Sequence, residues 1–176
     1  MNRMDYIANY VKASLSLDGD LAEAGVSAGD SAEAICKTKN GKPLYLFDTF
    51  TGLPESMFTA VDTASDFSRT YIYPNAYAAD YELVRRKLSV YPNVHFCKGL
   101  IPKTFRNLKS NRYCFIHIDL DLYKSTLEAL KYFIPRRVEN GIIMIHNYTD
   151  FLGVRLAVKD AGVWKVRIGD HKYCFL

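Results

Sequence analysis

Two carboxylates, Asp119 and Asp121, stand where an apolar strand-like run, Phe115-Ile116-His117-Ile118, gives out into Asp119-Leu120-Asp121-Leu122-Tyr123. Carboxylates are not core material unless something pairs with them. In an open α/β sheet, however, the ligand crevice lies just beyond the carboxyl ends of the strands, and acidic groups at that edge meet a cofactor, a metal or a substrate. A second run, Gly141-Ile142-Ile143-Met144-Ile145, ends in His146 and Asn147, which are expected at the same crevice. The chain therefore reads as an enzyme on an α/β sheet.

At 176 residues, 49% hydrophobic and 24% charged, there is material for one such domain, 1–176, and no room for a second. No window approaches the ~20 uninterrupted apolar residues of a membrane span, and Met1 to Tyr10 carries Arg3 and Asp5 in place of an apolar signal core. A soluble cytoplasmic protein is the expectation, with no membrane partner. Cys36, Cys97, Cys114 and Cys174 form no C-x-x-C pair, so reduced thiols are expected. The net charge of +4 is concentrated in short runs, Arg85-Arg86-Lys87 and Arg136-Arg137, too narrow for a nucleic-acid surface.

Apolar periodicity orders the elements. A helix over Met4–Leu15 precedes a strand at Leu21–Gly25, a helix over Ala28–Thr38 and a strand at Pro43–Asp48. Residues 49–79 hold no sustained period and are expected to form a lid or binding loop. There follow a helix (Ala79–Tyr91), a strand (Asn93–Lys98), a short helix (Pro102–Leu108), the strand Tyr113–Asp119, a helix (Ser125–Phe133), the strand Gly141–Ile145, a helix (Phe151–Ala161) and two strands, Trp164–Ile168 and His171–Phe175. Alternating strands and helices predict a single doubly wound, Rossmann-like sheet, mostly parallel, closed by a C-terminal antiparallel hairpin. Ser125 and Thr126 are read as helix-capping hydroxyls.

The first strand-to-helix turn, Glu23-Ala24-Gly25-Val26-Ser27-Ala28-Gly29-Asp30-Ser31, reports the ligand. Its glycines are at the wrong spacing for a dinucleotide pyrophosphate, which disfavours a nicotinamide dehydrogenase. The pattern E-x-G-x-x-x-G lets backbone approach a ligand that carries a cation and no phosphate. Asp48, at the end of the second strand, is placed to accept ribose hydroxyls. Together these point to S-adenosylmethionine (SAM).

The blocks Leu46-Phe47-Asp48-Thr49-Phe50-Thr51-Gly52-Leu53-Pro54-Glu55 and His117-Ile118-Asp119-Leu120-Asp121-Leu122-Tyr123-Lys124-Ser125-Thr126, with Asp66-Phe67-Ser68, Tyr91-Pro92-Asn93-Val94 and Lys98-Gly99 in order between them, closely resemble the macrocin O-methyltransferase family. The resemblance spans roughly 21–161. It implies a class I methyltransferase fold and metal-assisted transfer of methyl from SAM to a hydroxyl of a small-molecule acceptor, usually a natural-product sugar. It also implies roles. Glu23, Gly25 and Gly29, with Val26 and Ser31 of the same turn, would line the methionine side of SAM. Asp48 would bind ribose beside Thr49 and Phe50, and Lys98, Gly99 and Ile101 would follow the strand that flanks adenine. Asp119 matches a metal ligand at the cofactor's edge, and Asp121 the carboxylate proposed as general base.

The chain departs from the family at His146-Asn147-Tyr148, where relatives carry Asp-Asp-Tyr. The metal set would then be Asp119, His146 and Asn147. Mg²⁺ prefers hard oxygen ligands, and an imidazole shifts the preference toward Mn²⁺ or softer ions. Three readings of His146 stand: a nitrogen ligand, a general base in a metal-free transferase, or a structural residue where the metal has been lost. The last leads to the alternative function, a catalytically impaired SAM-binding or scaffold protein. His117 reads as a satisfied core histidine. The N-terminal helix, 1–16, could cover a partner as readily as its own sheet, so a homo-oligomer stays open.

Overall fold

A computed structural model describes residues 1–106, 108 and 111–176. Six α-helices, α1 (Arg3–Ser14), α2 (Asp30–Thr38), α3 (Asp66–Tyr71), α4 (Tyr81–Leu88), α5 (Tyr123–Phe133) and α6 (Leu152–Asp160), surround one sheet. Its strands are β1 (Asp20–Ala24), β2 (Leu44–Asp48), β3 (Val94–Lys98), β4 (Tyr113–Ile118), β5 (Arg137–Ile145), β6 (Arg167–Ile168) and β7 (Cys174–Phe175), in the spatial order β3-β2-β1-β4-β5-β7-β6. The first five run parallel; β7 enters antiparallel to both β5 and β6. The doubly wound sheet and its antiparallel end are as the sequence predicts. The strand order reverses direction between β1 and β4, which opens the crevice there.

Every residue of β4 is buried, because helices cover both faces of the sheet. Ile116 and Ile118 pack with Ala22, Ala24, Leu130 and Val154 on one face. Phe115 packs with Leu21, Ile35 and three buried α1 residues, Tyr6, Ile7 and Val11, on the other. The N-terminal helix thus covers its own sheet. It is tied to the C-terminal turn as well, since the Asp170 amide donates to the Tyr6 hydroxyl at 3.0 Å and Tyr6 packs against Tyr173. Among the described residues, no helix is long and apolar enough to cross a membrane.

Several elements differ from expectation. β5 begins at Arg137, ahead of Gly141, and its pairing with β4 slips register between Tyr113 and Phe115. The terminal hairpin pairs only two residues per strand, since His171 and Lys172 adopt left-handed backbone that ends the ladder. The expected helix over 102–108 is a 3-10 turn, Lys103–Phe105; its residue 107 lies outside the described residues.

The 49–79 segment contains another 3-10 turn, Glu55–Met57, and α3, whose capping box joins Ser65 and Ser68. Hydrogen bonds Leu53–Ala76, Asn75–Leu53 and Ala79–Phe50 close it on itself and onto the core. Asp62, buried within it, accepts from the Tyr123 amide at 2.7 Å and from both the amide and hydroxyl of Thr59. This loop carboxylate, not Ser125 or Thr126, satisfies the start of α5, because the helix begins two residues earlier than expected. A Cβ on Gly153 would come within 2.4 Å of Asp62 Oδ1, so α6 meets the loop through a glycine.

Candidate active site

The carboxyl ends of β1, β2, β4 and β5 and the folded 49–79 segment enclose a cavity of about 450 Å³, within the range of small-molecule sites. Its floor is the turn after β1. Gly25 adopts φ +90°, and a Cβ there would lie 1.8 Å from the Asp119 carbonyl oxygen. Glycine is required twice, by conformation and by contact. The Gly25 amide donates to Phe47 and the Asp119 amide to Ala24, so three strand ends are stitched together beneath the cavity.

Asp48 closes the same turn. Its Oδ2 accepts from the amides of Val26 (2.6 Å) and Ser27 (2.9 Å), and its Oδ1 from the Phe50 amide at 2.7 Å. A carboxylate has about four acceptor sites, and with three amides bound one remains, on Oδ1, for a ribose hydroxyl. Of the candidates, Gly25, Val26, Ser31, Asp48, Thr49, Gly99, Ile101, Asp119, Asp121, His146 and Asn147 line the cavity.

Four other candidates lie back from it. Gly29 is the left-handed cap of α2, Phe50 packs against Tyr81, and the Lys98 ammonium sits 4.3 Å over the Tyr81 ring. Glu23 is wholly buried under α1, with Oε1 2.7 Å from His117 Nδ1. A side chain held there makes a core pair and does not line the cavity. The other His117 nitrogen meets the Tyr173 hydroxyl at 2.9 Å, so His117 is the satisfied core histidine expected.

Opposite the glycine turn stand the acidic groups. His146 Nδ1 lies 2.9 Å from Asp119 Oδ1, while Asp119 Oδ2 receives the guanidinium of Arg3. Arg3 Nε also donates to the Tyr173 hydroxyl at 3.0 Å. Burial disfavours the Asp119 carboxylate, but His146 and then Arg3 outweigh burial and hold it well below the usual carboxylate range. No described residue bonds His146 Nε2, the ring nitrogen left for the cavity.

Asp121 has the opposite environment. Burial first, and then the charge of Asp119, push its carboxyl up to about 7, against the Asn147 Nδ2 donor 2.6 Å from its Oδ1. Both Asp121 and Asn147 hold left-handed backbone, φ 60° and 57°. Strain of this kind, of order 1–3 kcal/mol per residue, concentrates where a site needs a side chain aimed.

The metal set expected from the sequence, Asp119 with His146 and Asn147, does not fit a divalent cation. Both Asp119 oxygens are engaged, one by a guanidinium, and Asn147 points its amide donor at Asp121. Among the described residues no group of three or more His, Cys, Asp or Glu side chains is placed to hold a metal ion.

Arg3 is the site residue that sequence reasoning passes over. One signal pointed to it: an arginine at the first position of a helix lies against the positive end of the helix dipole, where a cation is unfavourable unless something else holds it. The aromatic wall, Phe67, Tyr71, Tyr77 and Phe151, comes from the 49–79 segment and the start of α6.

Comparison with known proteins bears on all of this. The family model for macrocin-O-methyltransferase matches residues 1–164. An 8-demethyl-8-(2,3-dimethoxy-alpha-L-rhamnosyl)-tetracenomycin-C 4'-O-methyltransferase of Streptomyces olivaceus is 29% identical over 161 residues, 84% of this chain. The chain spans 60% of that relative's length. The O-methyltransferase NovP superposes with a TM-score of 0.81 at 21% identity, over 98% of this chain and 78% of that one. The calicheamicin methyltransferase CalS11 gives 0.77 at 18%, over 98% and 76%. These two likenesses show the fold, a Rossmann-like methyltransferase sheet, and the match of the family model decides the rest: the chain belongs to the macrocin O-methyltransferase family.

Proposed function

We propose that the protein transfers a methyl group from SAM to a hydroxyl of a small acceptor of the sugar or natural-product kind. One observation carries this reading. The Gly25 turn and Asp48, which suit a SAM-sized ligand, share one cavity with a carboxylate-oriented histidine. Relatives point the same way: the Streptomyces protein is named for O-methylation on a rhamnosyl compound, a CalS11 structure is titled a TDP-rhamnose 3'-O-methyltransferase, and a Bacillus cereus O-methyltransferase of the same fold was solved with SAH.

When bound, SAM supplies an electrophilic methyl on a sulfonium. The Gly25 turn brings backbone against the ligand, and Asp48 holds the ribose end. An acceptor hydroxyl lies between Asp121 and His146. Its oxygen forms the new bond to the methyl carbon as the carbon–sulfur bond breaks, and its proton passes to His146 Nε2. Asp119 fixes the ring with Nδ1–H toward itself and stabilises the imidazolium that forms. Asp121 orients the hydroxyl, and the folded 49–79 segment keeps water away. No step passes through a metal ion.

Calorimetric titration of SAM, followed by a methyl-transfer assay on deoxysugar-bearing acceptors, tests the reading. Micromolar SAM binding with product formation is expected. Absence of SAM binding overturns it.

A further inference from the structure

We infer that the Arg3 guanidinium stands in for the divalent cation of this family's site, making the chain a metal-independent transferase. The inference rests on the methyl-transfer reading above and concerns how the same site is held charged and aligned. Asp119 is the carboxylate a cation would need first, and Arg3 takes its Oδ2 while His146 takes its Oδ1. A cation binding there would have to displace a permanently charged, planar donor from its carboxylate.

The arginine is not a stray surface side chain. Its Nε donates to the Tyr173 hydroxyl, Tyr173 is fully buried, and that hydroxyl continues through His117 to Glu23. Helix α1 delivers Arg3 to this point through the buried side chains of Tyr6, Ile7 and Val11. Two features of the chain, His146 where the resemblance leads one to expect a carboxylate and Arg3 on Asp119, therefore match each other. An imidazole replaces a carboxylate at position 146, removing a negative charge and a hard ligand, and a guanidinium supplies one positive charge where the ion would supply two. The pair leaves Asp119 ionised and His146 oriented, so the proton released as the oxygen–carbon bond forms has an acceptor without metal activation. Arg3 acts through Asp119 and His146 and is a positioning residue.

The experiment uses the full chain, Arg3→Met, Arg3→Lys, and the double variant Arg3→Met with His146→Asp, each checked for folding by circular dichroism and for SAM binding by calorimetry. Mn²⁺ alone is the metal probe, followed by calorimetry and by its electron paramagnetic resonance signal. The wild type is expected to bind no Mn²⁺ at millimolar concentration and to turn over equally with and without EDTA. The folded double variant is expected to bind Mn²⁺ at least about tenfold more tightly than the wild type, the scale on which groups around a metal site set affinity. Arg3→Met should lose turnover and Arg3→Lys recover part of it, with SAM affinity unchanged in both. Stoichiometric Mn²⁺ binding by the wild type, or turnover abolished by EDTA, overturns the inference. So does a double variant that folds and still binds no Mn²⁺. If SAM fails to bind any form, the methyl-transfer reading falls, while the Mn²⁺ titrations still report whether Arg3 holds the cation's place.

Discussion

The two rims of the cavity are built on different principles. Along the ends of β1 and β2 the site is backbone: Gly25 pressed against the Asp119 carbonyl, and three amides gathered by Asp48 from within 22 residues. Along the ends of β4 and β5 it is side chains, oriented by partners far away in the chain, with Arg3 lying 116 residues from Asp119. The first rim tolerates little change because sterics fix it. The second is fixed by charge and hydrogen bonds, and His146 stands there, where the resemblance leads one to expect a carboxylate.

Predictions that break or sharpen this contrast start with Gly25→Ala. Left-handed backbone and a Cβ at 1.8 Å from a carbonyl oxygen both oppose it, so a loss of about 4 kcal/mol or more is expected in urea denaturation, with SAM binding gone. A variant with native stability would show that the β1 rim is less rigid than its geometry. His146→Ala should do the reverse: SAM affinity nearly unchanged, turnover down by about 10²–10⁴-fold, as for loss of a general base, and stability lower by only about 1–3 kcal/mol, because Asp119 loses one partner and keeps Arg3. If SAM affinity and turnover fell together, the two rims would not be separable.

Asp121→Asn tests electrostatics on the second rim. With its carboxyl pushed up to about 7, Asp121 keeps its proton in the fold while the unfolded chain releases it near 3.8. The native state then binds more protons between those values, so this group's contribution to stability is full below about 4 and is lost as pH rises through 7. Asparagine titrates nowhere. Unfolding measured at pH 4 and pH 8 should show the variant gaining on the wild type by on the order of 4 kcal/mol; a pH-independent difference would remove burial of this carboxyl as the cause. The Asp119 effect has the opposite sign and lies below pH 4, since its carboxyl is held low. Smallest is Asp48→Asn, which keeps the shape and loses charge. A cost of about 1 kcal/mol and SAM binding weakened several-fold are expected from replacing charged acceptors by neutral ones. An unchanged SAM affinity would take the ribose role from Asp48.

What the sequence makes legible follows the same division. β4 and its carboxylates, the glycine turn and Asp48 are local patterns, readable because their partners are strand neighbours. His117 was readable as core because it lies inside an apolar run, all of which is buried. Glu23 was not, since its fate depends on a histidine 94 positions away. The 49–79 segment looked aperiodic because α3 spans only six residues and the rest is held by caps and single hydrogen bonds such as those of Asp62. Arg3 was harder still: its place at the start of a helix marks it only as unusual, and its role depends on Tyr173, 170 residues further on, which nothing in the local pattern links to it.

That last separation sets an order of events. While the chain is being synthesised, the hydrogen bonds of Asp48 to Val26 and Ser27 can form once β1 and β2 have emerged and the Gly25 contact once β4 has followed, but the arginine clamp lacks its anchor until residue 173 leaves the ribosome. Contacts so remote in sequence form late, after loop closure has been met elsewhere. The growing polypeptide can therefore complete its backbone rim well before its side-chain rim, and the orientation of Asp119 by Arg3 is among the last features it acquires.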